Sequence, residues 1–358
     1  MIQSIPIIIP AYEPNQRMID LINDIKGTGS GTVIIVDDGS GPDYADLFSE
    51  AVKIIEPLGG TVLKHEHNRG KGRALKTAFS YVLEKYPNAA GAVTADSDGQ
   101  HTVECINNVS QALMDNPGNL ILGVRDFDSD NIPWKSEFGN KLTAKVLGYV
   151  SGIKVSDTQT GLRGIPLKFM ESLLDVSGER FEFETRMLLE SYGKYPIKEV
   201  PIKTIYDSET DHQTHFDPFI DSLKIYKILG ERFLLYIFSS LSSSLLDLCL
   251  FSLFCYIFRP TNGAMYITIS TVLARVISAT YNYAINYKKV FRSEESIARS
   301  AVKYACLAIV QMACSAVLVT GGVWLLSMCP EVIIKVVVDT FLFFVSYKIQ
   351  QKIIFARH

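Results

Sequence analysis

The densest set of chemistry-bearing residues is Asp96-Ser97-Asp98-Gly99-Gln100-His101, which follows the apolar run Ala92-Val93-Thr94-Ala95. Two carboxylates one residue apart repel each other unless a cation lies between them, and carboxylate and amide oxygens are the ligands that hard divalent ions take. A cation held there can also hold a diphosphate and stabilise it as a leaving group. An apolar run ending in such a string reads as a buried strand whose carboxyl end opens onto a ligand. Taken alone, the string also fits an Asp/Gly turn capping the next helix, so the surrounding elements must decide.

Those elements repeat one theme. Ile5–Ile9 is a β-branched strand that stops at Pro10, and Ala11-Tyr12-Glu13-Pro14 turns into a helix around Met18 to Ile25. Thr32–Val36 runs into Asp37-Asp38-Gly39-Ser40, whose carboxylates suit a ribose or a base. Thr61–Lys64 runs into His65-Glu66-His67-Asn68-Arg69-Gly70-Lys71-Gly72-Arg73, where glycines and cations at a helix start favour phosphate. His65 and His67 read as a surface pair rather than metal ligands. Each strand is followed by a helix, so the sheet is parallel and its acidic, basic and glycine-rich turns share one edge. Glu182 and Glu184 read as charges at a later helix's N-terminus. Asp157-Thr158-Gln159-Thr160-Gly161-Leu162-Arg163-Gly164 reads as a Gly-hinged loop with phosphate-sized donors, Arg163 being its cation.

Six ordered motifs carry a family resemblance: IIIPAY (7–12), VDDGS (36–40), NRGKGRAL (68–75), DSDGQH (96–101), GVRDF (123–127) and TQTGLRG (158–164). Together they resemble the family 2 glycosyltransferases of the GT-A fold, in particular polyprenyl-phosphate sugar synthases such as the dolichyl-phosphate mannose synthases. The resemblance implies an α/β, Rossmann-like, mostly parallel catalytic domain. It implies Mg²⁺ or Mn²⁺ on Asp96, Asp98 and Gln100. Pro10, Tyr12, Glu13, Asp37, Asp38, Lys71 and Ser97, with the two aspartates of the metal motif, are then expected to line the nucleotide sugar. Arg125, Lys141 and Arg163 are expected to orient the acceptor phosphate. The chain departs from the family where PxYNE is usual, having Pro14 at the glutamate position. It also has no arginine in the loop from Tyr206 to Asp217, which leaves Lys203, His212 or His215 to grip the diphosphate. Phe138, Leu142, Val146 and Tyr149 share one helical face with Lys135, Lys141 and Lys145 nearby, the pattern of a helix in a membrane surface; a core-packed helix has the same periodicity. The resemblance favours the membrane.

Hydrophobicity and charge are unevenly distributed over the 358 residues. Residues 231–358 hold 12 of the 35 Lys and Arg but 6 of the 38 Asp and Glu, so the two parts carry about +6 and −9. A boundary near 230/231 separates a glycosyltransferase-like part, 1–230, from four apolar stretches at 233–258, 264–287, 304–327 and 332–350, each able to span a hydrocarbon layer of roughly 30 Å. Lys288, Lys289, Arg292, Arg299 and Lys303 crowd the central loop, whereas the turns at Arg259-Pro260 and Met328-Cys329-Pro330 carry one cation. The positive-inside rule then puts both termini and the catalytic part on the cytoplasmic side. The first residues lack the basic start and apolar length of a cleavable signal, in line with that side. Six cysteines without metal spacing read as apolar filler. Asp247 and Arg275 fall mid-span and are expected to face the bundle interior and pair, Lys335 and Asp339 to pair along one helix, and the serines at 239–244 to pack helices closely. RFLLYIF, YNYAINYKKVF and the closing KIIF make this part similar to the GtrA family of small membrane proteins, proposed partners in moving lipid-linked sugars.

The expected activity is inverting transfer of one sugar from a UDP- or GDP-linked donor to a polyprenyl phosphate at the cytoplasmic membrane face. The partners are nucleotide sugar, lipid and membrane, with no nucleic acid, and a homo-oligomer is left open. A processive polysaccharide synthase is disfavoured because neither Trp134 nor Trp324 lies in a QxxRW motif. A lipid-sugar transporter whose front part only binds is the other class, and the intact DSDGQ argues against a dead domain.

Overall fold

The computed structural model describes residues 5–29, 31–125, 134–203, 220–258, 265–293, 295–325 and 330–355, and the chain divides into two compact units, Met1–Ile228 and Leu229–His358. The first unit is built on a seven-stranded sheet: β1 (Ile7–Ala11), β2 (Val33–Asp37), β3 (Thr61–Lys64), β4 (Gly91–Thr94), β5 (Leu120–Arg125), β6 (Arg163–Pro166) and β7 (Ile197–Ile202). The strand order is β3-β2-β1-β4-β6-β5-β7. All pairings are parallel except those of β6, which runs antiparallel to both β4 and β5. The mostly parallel α/β architecture is therefore present, with one reversed strand. The loop expected over 157–164 passes into strand at its end, because Arg163 begins β6 opposite Thr94.

β1, β2 and β4 are buried along their whole length, which is why they read as unbroken apolar runs. Helices α1 (Gln16–Thr28), α2 (Ala45–Ile55), α3 (Lys71–Lys85) and α4 (Val103–Asp115) follow the first four strands, so the four strand ends fall on one edge. Their limits are set locally. Asn15 caps α1 by accepting from the Arg17 amide, and Gly29, at φ 63°, ends it in the left-handed conformation that glycine adopts without strain. Thr102 caps α4 through the Cys105 amide, which stops the Asp96–His101 string from joining the helix. Then come α5 (Trp134–Val150), α6 (Leu167–Leu173) and α7 (Glu182–Ser191).

The second unit is helical. The boundary falls within α8 (Ile220–Phe258), followed by α9 (Tyr266–Ile285), α10 (Ile297–Leu325) and α11 (Glu331–Ile349). Among the described residues, two helices are long and apolar enough to cross a membrane: Tyr226–Phe258, with mean hydropathy 1.8, and Ile297–Leu325, with 2.0. α9 and α11 occupy the other two expected spans but are shorter and carry Arg275, and Lys335, Asp339 and Lys348, within them. The turns at 259–264 and 326–329 lie outside the described residues.

A duplication that the sequence reading missed is visible here. Tyr283-x-x-Asn286-x-Lys288-x-Val290-Phe291 recurs as Tyr347-x-x-Gln350-x-Lys352-x-Ile354-Phe355. Each copy ends its helix in a π turn, with the Phe291 amide donating to the Asn286 carbonyl (2.9 Å) and the Phe355 amide to the Gln350 carbonyl (2.8 Å). The equivalent residues meet: Asn286 Nδ2 donates to Gln350 Oε1 at 3.0 Å, and the Phe291 and Phe355 rings stack 5.2 Å apart. Asn282, Tyr304, Tyr236, Ser346 and the Ser239 carbonyl complete a buried polar seam between the two hairpins. Arg275 and Asp339, equally far before the two motifs, each meet a polar partner on the preceding helix. Arg275 pairs with Asp247 at 3.3 Å, and Asp339 accepts from Ser315 at 2.6 Å. The Asp247–Arg275 pair therefore forms, but Arg275 is turned outward, its side chain 72% exposed on the isolated chain. Lys335 and Asp339 pair along α11 at 2.9 Å, and Ser243 bonds across to the Ser278 carbonyl, as close packing of the serine run requires.

Cutting the seam removes hydrogen bonds that have no water to replace them. Asn286→Leu is expected to destabilise the detergent-solubilised protein by about 1–2 kcal/mol, read as a lower unfolding temperature. An unchanged temperature would show that the seam contributes nothing to stability.

Candidate active site

The site grows from the end of β4. Asp96 sits two residues beyond the end of β4, and its carboxylate lies directly over the α-carbon of Gly161, where any β-carbon would collide with it. Gly161 is held in turn by Thr94, whose hydroxyl donates to the Gly161 carbonyl at 2.7 Å. Lys71, the first residue of α3, places its ammonium 2.7 Å from Asp96 Oδ1 and 3.0 Å from Glu184 Oε1. His101 Nε2 lies 3.6 Å from Asp96 Oδ2. The result is a largely buried ionic corner assembled from four separate segments.

Its electrostatics divide the two aspartates. Burial works against ionising Asp96, but Lys71 and His101 outweigh it and hold the carboxyl well below the ordinary range. Asp98 moves the other way: burial, reinforced by the charge of Asp96, raises it. Lys71 stays protonated because Asp96 and Glu184 outweigh its burial. Asp98 Oδ1 accepts from the Gln100 amide at 3.0 Å, and Ser97, Asp98 and Gln100 are half-buried. Among the described residues no three His, Cys, Asp or Glu side chains converge as a finished metal cage. The donor set nevertheless fits a hard divalent ion shared with a phosphate: two neighbouring carboxylates, one of them pushed toward its neutral form by burial and by the charge of the other, and a nearby amide oxygen.

Around this corner the expected residues take distinct places. Pro10 is buried within β1, and Tyr12 and Glu13 follow at its end. Glu13 has φ 48°, unusual for a residue other than glycine, and its amide donates to Ser40 Oγ at 2.9 Å. This joins the Glu13-Pro14 turn to the end of β2. Asp37 is buried and accepts from the Ser40 amide at 2.9 Å.

Four expectations need correction. Asp38 does not present a free carboxylate to a nucleotide: it is 2% exposed and accepts from the amides of Arg69 (3.0 Å) and Gly70 (2.7 Å) and from His65 Nδ1 (2.6 Å). It fixes the glycine-rich turn instead. His65 is no surface residue, since its other nitrogen meets Thr77 Oγ1 at 2.9 Å, whereas His67 is exposed. Arg163 is not a phosphate-facing cation. It is 1% exposed and donates to the carbonyls of Thr160 and Glu184, because starting a central antiparallel strand turns its side chain into the unit. Arg125 has its guanidinium fork on buried Asp157, at 2.7 and 3.0 Å, so it ties β5 to the loop before β6.

That loop also anchors α5. Asn140 accepts from the Thr158 amide and hydroxyl and donates to the Ser156 carbonyl. The helix buries Asn140, Thr143, Leu147 and Val150, leaving Leu142 and Lys141 exposed and Val146 and Tyr149 partly so. The apolar face anticipated for a membrane surface is thus the outward one. The side chains of Lys135 and Phe138, and the loop with His212 and His215, lie outside the described residues; Lys203 is exposed at the end of β7. Glu184, Gly161, His101 and Asp157 belong to the site's framework. All four lie in stretches singled out from the sequence, His101 in DSDGQH, Asp157 and Gly161 in the loop of 157–164 and Glu184 at a helix start, but no local signal gave the partners that folding brings to them.

Residues 7–171 match the family described as glycosyl transferase family 2, and residues 235–355 match the GtrA/DPMS transmembrane domain. A UDP-N-acetylglucosamine–dolichyl-phosphate N-acetylglucosaminyltransferase of Methanococcus voltae is 30% identical over 219 residues, 56% of this chain and 85% of that protein. A dolichyl-phosphate beta-glucosyltransferase of Dictyostelium discoideum is 28% identical over 253 residues, 63% of this chain and 73% of that protein. Among solved structures, mannosyltransferase PcManGT from Pyrobaculum calidifontis, in complex with GDP-Man and Mn²⁺, aligns with a TM-score of 0.42 and 14% identity, covering 97% of this chain and 86% of that one.

Two substitutions test the corner. Gly161→Ala is expected to displace the Asp96 carboxylate and reduce activity by about 10²-fold, the scale of a 1 Å misplacement, while the protein stays folded by circular dichroism. Asp98 has a folded pKa above its unfolded one, so its stabilising effect is full below the unfolded pKa and is lost as pH rises through the folded value. In EDTA, Asp98→Asn should therefore unfold at a higher temperature than the wild type at pH 7. The gain should vanish in acid, near the ordinary aspartate pKa of about 3.9.

Proposed function

Because the chain belongs to the family 2 glycosyltransferases, of the polyprenyl-phosphate sugar synthase type, and carries a GtrA/DPMS transmembrane domain, we propose that it transfers one sugar from a nucleotide sugar to a polyprenyl phosphate at the cytoplasmic membrane face. The observation that carries the reading is the ionic corner at the end of β4, where Asp96, Glu184, Lys71 and His101 meet on the ligand-binding edge of the sheet, with Asp98 two residues along the chain. Pro10, Tyr12, Glu13 and Asp37 stand at the neighbouring strand ends, and we assign the nucleotide to that edge. Asp38 supports it indirectly by shaping the glycine-rich turn.

Asp96, Asp98 and Gln100 would hold Mg²⁺ or Mn²⁺, which when bound supplies positive charge to the leaving diphosphate. A lipid phosphate is already an anion at neutral pH and needs no protein base. Its oxygen bonds to the anomeric carbon from the face opposite the diphosphate, the bond to the diphosphate oxygen breaks, and the nucleoside diphosphate departs with inversion. Exposed Lys141, on the outward face of α5, is placed to attract the acceptor phosphate as a point charge. Arg125 acts through Asp157 and Asn140, keeping the α5 loop in register. The cationic central loop of the second unit supports a cytoplasmic active site.

A second reading, movement of the lipid-linked sugar by the membrane domain, is favoured by the buried polar seam between its hairpins. Label passing from a nucleotide sugar to polyprenyl phosphate in isolated membranes supports the transferase; movement across the bilayer without transfer supports the second reading. Asp98→Ala is expected to insert and fold but to lose transfer by at least about 10³-fold, the scale of losing a main electrostatic contribution. Full activity in that variant would refute the metal-site assignment.

A further inference from the structure

Lys71 stands where a lysine is least expected. It is the first residue of α3, at the positive end of the helix dipole, and its side chain is 18% exposed. What compensates is specific: Asp96 Oδ1 at 2.7 Å and Glu184 Oε1 at 3.0 Å. The Asp96 oxygen that takes the ammonium belongs to the first carboxylate of the DxD pair. An ammonium seated on that oxygen and a divalent cation bound to the same carboxylate repel each other, so the lysine already fills the electrostatic place of the metal. Its long flexible stem also lets the charge swing, and a donor diphosphate arriving beside Asp96 offers it a replacement partner.

We propose that Lys71 is a tethered counter-ion: it rests on Asp96 while the donor site is empty and passes to the donor diphosphate as the divalent cation takes Asp96. Glu184 is the positioning residue about which it pivots. The inference rests on the donor-site reading above. Its use is twofold. The empty site is protected from two uncompensated buried carboxylates, and metal and nucleotide are made to bind together, since each removes the obstacle to the other. By linkage the coupling must be equal in both directions.

The test uses the full-length protein in detergent and Mn²⁺ as probe, with free Mn²⁺ read by electron paramagnetic resonance, alone and with UDP or GDP. The wild type should bind Mn²⁺ about tenfold more tightly when the correct nucleotide is present, within the usual range of coupling. Lys71→Met should bind Mn²⁺ about tenfold more tightly than wild type without nucleotide, and most of the nucleotide effect should disappear. A gain of affinity is not what a damaged fold produces. Glu184→Gln, which leaves Lys71 to Asp96 alone, should weaken nucleotide-free Mn²⁺ binding, and it serves as the second test should Lys71→Met not fold. If Lys71→Met binds Mn²⁺ no more tightly than wild type, or Glu184→Gln leaves affinity unchanged, the counter-ion role is overturned while the donor-site reading stands. If the wild type binds no Mn²⁺ with or without either nucleotide, the donor-site reading itself falls.

Discussion

A negative charge kept on a largely buried carboxylate is the constraint from which the first unit's architecture around β4 follows. Asp96 is ionised in a place where ionisation is opposed by burial, so neighbouring segments must deliver positive charge and nothing bulky. α3 delivers the charge of Lys71, the segment before α4 sets the His101 ring 3.6 Å from the carboxylate, and the loop before β6 contributes a glycine because the carboxylate occupies the space of a side chain. Arg163 then braces that loop from below, donating to Thr160 and to Glu184, so the same residue supports both the glycine turn and the helix that carries the second partner of Lys71. Several segments thus converge on one carboxylate, and each limits where the others can sit.

The second unit meets a related constraint in an apolar setting. Polar groups there have to find one another, and duplication supplies them in matched pairs: Asn286 with Gln350, Phe291 with Phe355, and a polar contact earlier in each hairpin. The π turns widen the helix ends where these pairs meet and are the kind of local irregularity that marks functional positions. Arg275 is the least enclosed of these groups: it keeps its ion pair with Asp247 while most of its side chain faces out of the bundle.

How much was readable depended on the range of the interactions. Strand ends, the order of the motifs and the apolar stretches were legible because periodicity and turn chemistry are local. Lys71 and Asp96 were singled out from type and spacing, yet their pairing was not, because β4 and α3 meet only through the sheet. Arg125, Arg163 and Asp38 were read as facing a ligand for one common reason. A cation or carboxylate in a Gly-rich string looks available for ligand until the partner brought to it by folding is known, and here those partners are Asp157, two backbone carbonyls, and the Arg69 and Gly70 amides. His65, read as a surface residue, is buried by its contacts with Asp38 and Thr77.

Residue order alone was enough to specify an α/β unit with a carboxylate pair at a strand end, followed by apolar helices, because backbone propensity, alternation and hydropathy act over a few residues at a time. Folding decided which of the charged groups face a ligand and which are consumed by the structure. The reversed β6 turned Arg163 inward and set Gly161 beneath Asp96, and α7 brought Glu184 to Lys71. The deciding quantity is the balance of buried charge, which sums over segments distant in sequence and is defined only once they are packed together.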